Sequence, residues 1–275
     1  MQYNQKICCI LSATERGVRL LQDERLVICI KISQKEWIEK LQKGSAWFGA
    51  INNYIVKAEE TNNNEQGDKY EGVFARCKKG NPIITEQLSR LGNDLEIIED
   101  GEYCLLRRKS SRYVCAFCMY GIKNTDLTPI GEIEDINGEL IGKFHYDIEP
   151  KMYSSFLQDG SNPSEVAGFY TSSGHIIDAI ELSLQKEGYK WIRNMVQYDI
   201  DISGEFFIEP KDNYPELFHK RIDLEYQHEV RILILNTTPG REGISISYRP
   251  VSVQSGNVAL GELYLEGTAI FKQIE

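Results

Sequence analysis

The segment YQHEVRILIL, residues 226–235, sets a cluster of polar side chains directly against an apolar run. Gln227 and Glu229 are two residues apart, a spacing that puts both on one face of an extended chain. A carboxylate fixed there could stabilise a sugar oxocarbenium ion as a glycosidic bond breaks, because fixed negative charge would meet developing positive charge. The Gln227 amide could orient the incoming acceptor. A structural reading stands beside the catalytic one: Glu229 and Arg231 pair and anchor the edge of a strand.

A second group of carboxylates lies in EETNNNEQGDKYEG, which holds Glu59, Glu60, Glu65, Asp68 and Glu71. Such oxygens could ligate Mg2+ in a phosphodiesterase. No basic motif adjoins them at a recognisable spacing to stabilise phosphate, and a solvated acidic loop is the alternative. The CAFC run, residues 115–118, has metal spacing but no second pair or His partner, whereas a structural zinc site needs four ligands. In a strand those cysteines point to opposite faces, so both are read as core thiols and no metal site is assigned. His145, His175, His219 and His228 form no recognisable Ser-His-Asp pattern, and no hydrolytic triad is assigned.

These residues need elements to position them. At 275 residues and 41% hydrophobic, the chain can bury a substantial core. The formal charge of -10 is opposite to that of a duplex-coating protein, so no large nucleic-acid footprint is expected. The amino-terminal apolar run is short and charges return at Glu15 and Arg16, which predicts neither a signal peptide nor a membrane span. Seven cysteines scattered through apolar contexts fit reduced thiols and a cytoplasmic location.

KICCILS and RLVICIKIS read as buried strands, and QKEWIEKLQKG reads as a helix stopped by Gly44. TEQLSRLG predicts a helix, GEYCLLRR and RYVCAFCMYGI strands, and ELIGKFHYDI a further strand. SGHIIDAIELSLQKEGYKWI predicts a helix ended by Gly188, followed by a strand in MVQYDIDI. YPELFHKRIDLEY reads as a short helix with Pro215 near its start. VRILIL, ISISYRP and ELYLEGTAIFK close the chain as strands. Helices and strands are interspersed without regular alternation and without a glycine-rich dinucleotide fingerprint. The expectation is a single α+β domain over 1–275, with a mixed, largely antiparallel sheet, a few helices and a mobile polar loop at 61–70.

The Gln-x-Glu spacing before a hydrophobic strand resembles the catalytic turn of ADP-ribosyltransferases. The resemblance implies that Glu229 is catalytic, that Gln227 helps select the acceptor and that NAD is the cofactor. FYTSSG loosely resembles the Ser-Thr-Ser strand that supports the NAD site, which would give Ser172 and Ser173 that role. Lys31 and Arg19 are positional candidates for the nicotinamide-binding strand. A second resemblance covers more of the chain. GSAWFGAINNYIVKAEE, GDKYEG, YVCAFC and FHKRIDLEYQHEVRIL together resemble a group of bacterial accessory and phage-defence proteins. Its matching positions are Phe48, Gly49, Tyr54, Glu59, Asp68, Glu71, Lys220, Glu229 and Arg231. That likeness implies that the early acidic segment and Glu229 belong to one site, walled by aromatics such as Trp47 and Tyr54 that could stack on a base or nicotinamide ring.

The leading expectation is therefore NAD-dependent ADP-ribosyl transfer to a protein or nucleic-acid acceptor, as in bacterial toxins or anti-phage defence. Trp47, Tyr54, Ser172, Ser173 and Arg231 would contact the cofactor. A Mg2+-dependent nuclease built on Asp68 and Glu71, or a non-enzymatic sensor, are the alternatives.

Overall fold

The structure, a computed structural model, describes residues 12–14, 17–19, 25–61, 67–134, 140–151, 165–238, 240–250, 255–258 and 264–270. The fold is α+β with largely antiparallel sheets, as expected. The chain divides into two compact units, the first formed by residues 1–46, 119–183 and 247–275, the second by residues 47–118 and 184–246.

In the first unit the strand Leu26–Gln34 pairs antiparallel with Val166–Ser172, from Val166 opposite Gln34 to Ser172 opposite Ile28. Its other edge pairs with the end of the strand Cys115–Lys123, with Ile28 opposite Ile122 and Ile30 opposite Tyr120. Leu26–Gln34 is rich in β-branched residues, as a strand buried on both faces should be. A three-stranded antiparallel sheet joins Thr128–Glu134, Leu140–Asp147 and Tyr264–Ile270. The core holds Ile28, Ile30, Ile122, Phe144, Tyr146 and Tyr170. The helix Lys35–Gln42 buries Ile38 and Leu41.

In the second unit the strands Phe206–Phe207, Val73–Lys78, Tyr103–Arg108 and Leu95–Asp100 form an antiparallel sheet in that order. The helix Pro82–Leu91 packs beside it. Asn81 caps this helix, its side-chain oxygen accepting from the Ile83 N–H at 3.1 Å, and Pro82 occupies the first turn. The strand Glu229–Ile234 pairs with Trp191–Met195, and Gly49 and Ala50 pair with Ala116 and Cys115. The short strands Gln197–Ile200 and His219–Arg221 run parallel. The helix Ile51–Thr61 buries Ile51 and Ile55 against Val114, Ala116, Leu217 and Leu233.

Two expectations need correction. YPELFHKRIDLEY is not one helix: a 3-10 turn at Pro215–Phe218 and another at Ile222–Gln227 flank the strand His219–Arg221. Lys220 and Arg221 point their cations at buried carboxylates, which holds the middle of this segment extended. The loop expected at 61–70 falls partly outside the described residues, at 62–66, and its described end is largely buried: Gly67, Asp68 and Tyr70 are buried, and Lys69 is exposed. The KICCILS run also lies outside the described residues, apart from Ser12 at the start of a short strand. Among the described residues no helix is long and apolar enough to cross a membrane.

Candidate functional site

The site is assembled in the second unit from two chain segments far apart in sequence. Gly67 begins the first. A Cβ there would lie 2.4 Å from the Tyr54 carbonyl oxygen and 2.6 Å from the Ala58 nitrogen, so only glycine lets the chain pass this close to the helix Ile51–Thr61. A tight turn follows, with Glu71 N–H donating to the Asp68 carbonyl at 2.9 Å and Val73 N–H to that of Tyr70 at 2.9 Å. The Asp68 carboxylate accepts from the Tyr70 N–H at 3.0 Å, the local bond that favours Asp in turns. Gly72, at φ +69°, completes the turn and starts the strand Val73–Lys78.

The second segment is 219–231. His228 adopts a left-handed conformation, φ 39° and ψ 45°, between the turn Ile222–Gln227 and the strand that starts at Glu229. Gln227 therefore does not share a strand face with Glu229 by two-residue alternation. Lys220 brings them together instead: its Nζ donates to Gln227 Oε1 at 2.8 Å and to Glu229 Oε2 at 2.6 Å.

Arg231 is the hub. Its Nη2 donates to Glu71 Oε2 at 3.0 Å, its Nη1 donates to Glu71 Oε1 and to the Leu217 carbonyl, and its Nε donates to Glu229 Oε1. The Glu229 N–H donates to the Tyr198 hydroxyl at 2.8 Å. Beside this network Arg221 Nε stands 3.3 Å from Asp68 Oδ1, and Arg221 Nη1 donates to Asp223 Oδ2 at 3.0 Å. Three buried carboxylates, Asp68, Glu71 and Glu229, thus meet three buried cations, Lys220, Arg221 and Arg231.

Burial opposes ionisation of Glu229, but Arg231 and Lys220 outweigh it and hold the carboxyl well below its usual range. Burial likewise opposes the Arg231 charge, and Glu229 with Glu71 more than restores it. At Asp68 burial wins: the pKa is raised despite Arg221. The Cys118 thiol hydrogen-bonds to both the Tyr54 hydroxyl and Glu229, and burial followed by these neighbours pushes the Tyr54 phenol up. Cys118 is half-buried, while Cys115 is fully buried with its thiol pushed up to about 11 by burial.

Trp47 and Tyr54 flank Gly49: a Cβ on Gly49 would be 3.7 Å from both the Trp47 Nε1 and the Tyr54 hydroxyl. The Trp47 ring rests on Gly243, where a Cβ would come within 2.3 Å of it, yet the indole keeps 41% of its surface exposed. An exposed aromatic, a glycine and a tyrosine thus lead to Cys118 and Glu229.

Gln227, Glu229, Arg231, Lys220 and Glu71 share one hydrogen-bonded network, with Asp68 and Tyr54 adjoining it. Glu59 is exposed in the last turn of the helix Ile51–Thr61, and its charge acts on Arg107 and Arg112. Ser172 and Ser173 belong to the first unit, where Ser172 Oγ hydrogen-bonds His175 Nδ1 and Ser173 Oγ donates to the Leu26 carbonyl at 2.7 Å. These are the bonds of a strand-to-helix junction. Lys31 is half-buried in the strand Leu26–Gln34 of that unit. Sequence reasoning missed Tyr198, Arg221 and Cys118. Arg221 adjoins Lys220, and that pair of basic residues in a buried segment was the available signal; nothing in sequence marks Tyr198.

Among the described residues no group of three or more His, Cys, Asp and Glu is disposed to hold a metal ion. The donor set agrees: both oxygens of Glu71 and both of Glu229 already accept from Arg231 or Lys220, so a cation there would displace a guanidinium. No family model matches the chain, and no curated protein or solved structure matches it.

Proposed function

We propose that the second unit carries a recognition site for a nucleotide-type ligand, with NAD as the first candidate. The observation that carries this reading is the Glu229 carboxylate, ionised and held by Arg231 and Lys220, with Tyr54 acting on it and the exposed Trp47 on the other side of Gly49 from the Tyr54 hydroxyl. The indole offers a face on which a base or nicotinamide ring can stack. Lys220 and Gln227 supply hydrogen-bonding groups for ribose or phosphate. Glu229 is engaged at both oxygens before any ligand arrives, which favours binding over chemistry: a carboxylate neutralised by two cations contributes little field to an oxocarbenium ion.

ADP-ribosyl transfer is the second reading, and one observation favours it. Lys220 is a point charge on a flexible stem, so a ribose hydroxyl could take its place at Glu229 Oε2. The C1′–N bond would then break with its electron pair leaving on nicotinamide, and an acceptor nucleophile on protein or nucleic acid would add to C1′ and lose its proton. Calorimetric titration with NAD, with chromatography for free nicotinamide, separates the two readings. Saturable binding without release is the expected result. Release by wild type that Glu229→Gln abolishes would establish cleavage at C1′, an added ADP-ribose mass on the acceptor would distinguish transfer from hydrolysis, and no binding by folded protein would overturn both.

A further inference from the structure

Two strands of the second unit set one thiol against another. Where Val73–Lys78 pairs with Tyr103–Arg108, Cys77 stands directly opposite Cys104. Residues opposed in an antiparallel pair project to the same face, with Cα atoms about 4.5–5.5 Å apart. That span lies inside the range of about 4.4–6.8 Å that a disulfide bridges without moving the backbone. The Cys77 thiol already reaches across, donating to the Cys104 carbonyl at 4.0 Å. Both side chains pack in one cluster with Phe74, Leu95 and Leu106. Cys29 and Cys115 are not matched in this way: Cys29 faces Gly121 and Thr171 in its two ladders, and Cys115 faces Ala50.

The pair sits at the margin of its core. Beyond Cys104 lies the edge strand Leu95–Asp100, which places Glu99 opposite Cys104 and Ile97 opposite Leu106. On that face Leu95 is buried, but Ile97 is 44% exposed and Glu99 is exposed, so solvent begins one strand away from the Cys104 side chain. Cys104 itself keeps 7% of its surface accessible, against 3% for Cys77. A small oxidant has a way in at Cys104.

We propose that Cys77 and Cys104 form a modification site, a dithiol that hydrogen peroxide converts to a cross-strand disulfide. The Cys104 thiolate attacks one peroxide oxygen, the O–O bond breaks, and a sulfenic acid forms as hydroxide leaves and is protonated. The Cys77 sulfur gives its proton to solvent, attacks the Cys104 sulfur and displaces the hydroxyl, which leaves as water. Two thiols and one peroxide thus give one disulfide and two waters; the sulfurs lose two electrons and the peroxide gains them. Burial, followed by Cys104 and Glu205, pushes the Cys77 thiol up, which suits it to resolve the sulfenic acid rather than to attack first. The bond ties together two strands that lead to the candidate site: Val73–Lys78 follows the turn at Asp68–Gly72, and Arg107 on the other strand donates to the Lys69 carbonyl. The inference is independent of the nucleotide reading.

The test treats the reduced, folded full chain with hydrogen peroxide, alkylates the remaining thiols and maps proteolytic peptides by mass spectrometry. The expected product is a Cys77 peptide joined to a Cys104 peptide, about 2 Da lighter than the two thiol peptides together and released by dithiothreitol. It should exceed any link made by Cys29 or Cys115 at least about tenfold, because those thiols lack an opposed partner. Cys77→Ala removes the resolving thiol and is expected to leave Cys104 as a sulfenic acid that dimedone traps. Cys104→Ser is expected to leave Cys77 fully alkylated. Recovery of both thiols from peroxide-treated wild type would overturn the proposal, as would Cys104 advancing to sulfinic acid without a link. A link that forms only after unfolding in urea would also overturn it, since the fold would then play no part in the pairing. Should either variant fail to fold, the wild-type peptide map still decides.

Discussion

The two units have strand-rich interiors, yet they fill them differently. Around Ile28, Ile30, Phe144 and Tyr170 the first unit is apolar, and the polar contact inside that cluster is a neutral one, the hydrogen bond between the Tyr120 and Tyr146 hydroxyls. Among the described residues, every buried charged side chain belongs to the second unit: Asp68, Glu71, Arg76, Arg107, Arg108, Glu216, Lys220, Arg221, Glu229 and Arg231. Taking such charges from water costs several kcal/mol each, which mutual attraction offsets only with good geometry. Apolar residues of similar size would fill the same space without that penalty. The charges of the second unit are therefore better explained by a task than by stability, whereas the first unit needs no such explanation.

Arg231→Met tests the contrast most severely. It strands Glu71 and Glu229 as buried, uncompensated charges and is expected to destabilise by about 3–5 kcal/mol, read from the urea midpoint. A loss below about 1 kcal/mol would show that the network is not coupled through Arg231. Gly67→Ala comes next. Its new methyl would meet the backbone at Tyr54 and Ala58, a clash no rotamer relieves, and the expected loss is about 1–3 kcal/mol. Tyr120→Phe, in the first unit, removes one hydrogen bond and is expected to cost about 1 kcal/mol. If it proved as damaging as Arg231→Met, the difference between the two interiors would disappear.

Acid acts in opposite directions on two buried carboxylates of the second unit. Glu229 has a folded-state pKa depressed below its usual 4.5, so its ionised form adds stability that is fully present above that value. The contribution drains away as pH falls from 4.5 towards the folded-state pKa. Asp68 has the opposite sign: its pKa is raised above 3.8, so its contribution is present below 3.8 and is lost as pH rises through the raised value. Urea midpoints between pH 7 and pH 3 should fall for wild type and fall less for Glu229→Gln. Parallel curves would remove Glu229 as a source of acid sensitivity.

Much of the local structure was legible. Periodicity and glycine placement marked the helices Lys35–Gln42, Pro82–Leu91 and Ser173–Lys186, and runs of β-branched residues marked Leu26–Gln34 and Glu229–Ile234. The segment 214–226 was misread because its amphipathic pattern satisfies a helix as well as it satisfies two turns around a strand. Only the demands of Asp68 and Glu229 on Arg221 and Lys220 choose between them. Asp68 and Glu71 look solvated because their neighbours are polar, and burial was invisible without the distant arginines that neutralise them.

The sequence by itself determined the α+β class, the residue types able to do polar chemistry and the adjacency of Gln227, Glu229 and Arg231 along the chain. Tertiary structure decided which charges meet. Arg231 joins Glu71 across 160 residues of chain, Arg221 finds Asp68, and Lys220 rather than strand alternation unites Gln227 with Glu229. The reason is electrostatic: a buried charge is tolerated only beside its counter-charge, and that partner is specified by position in space.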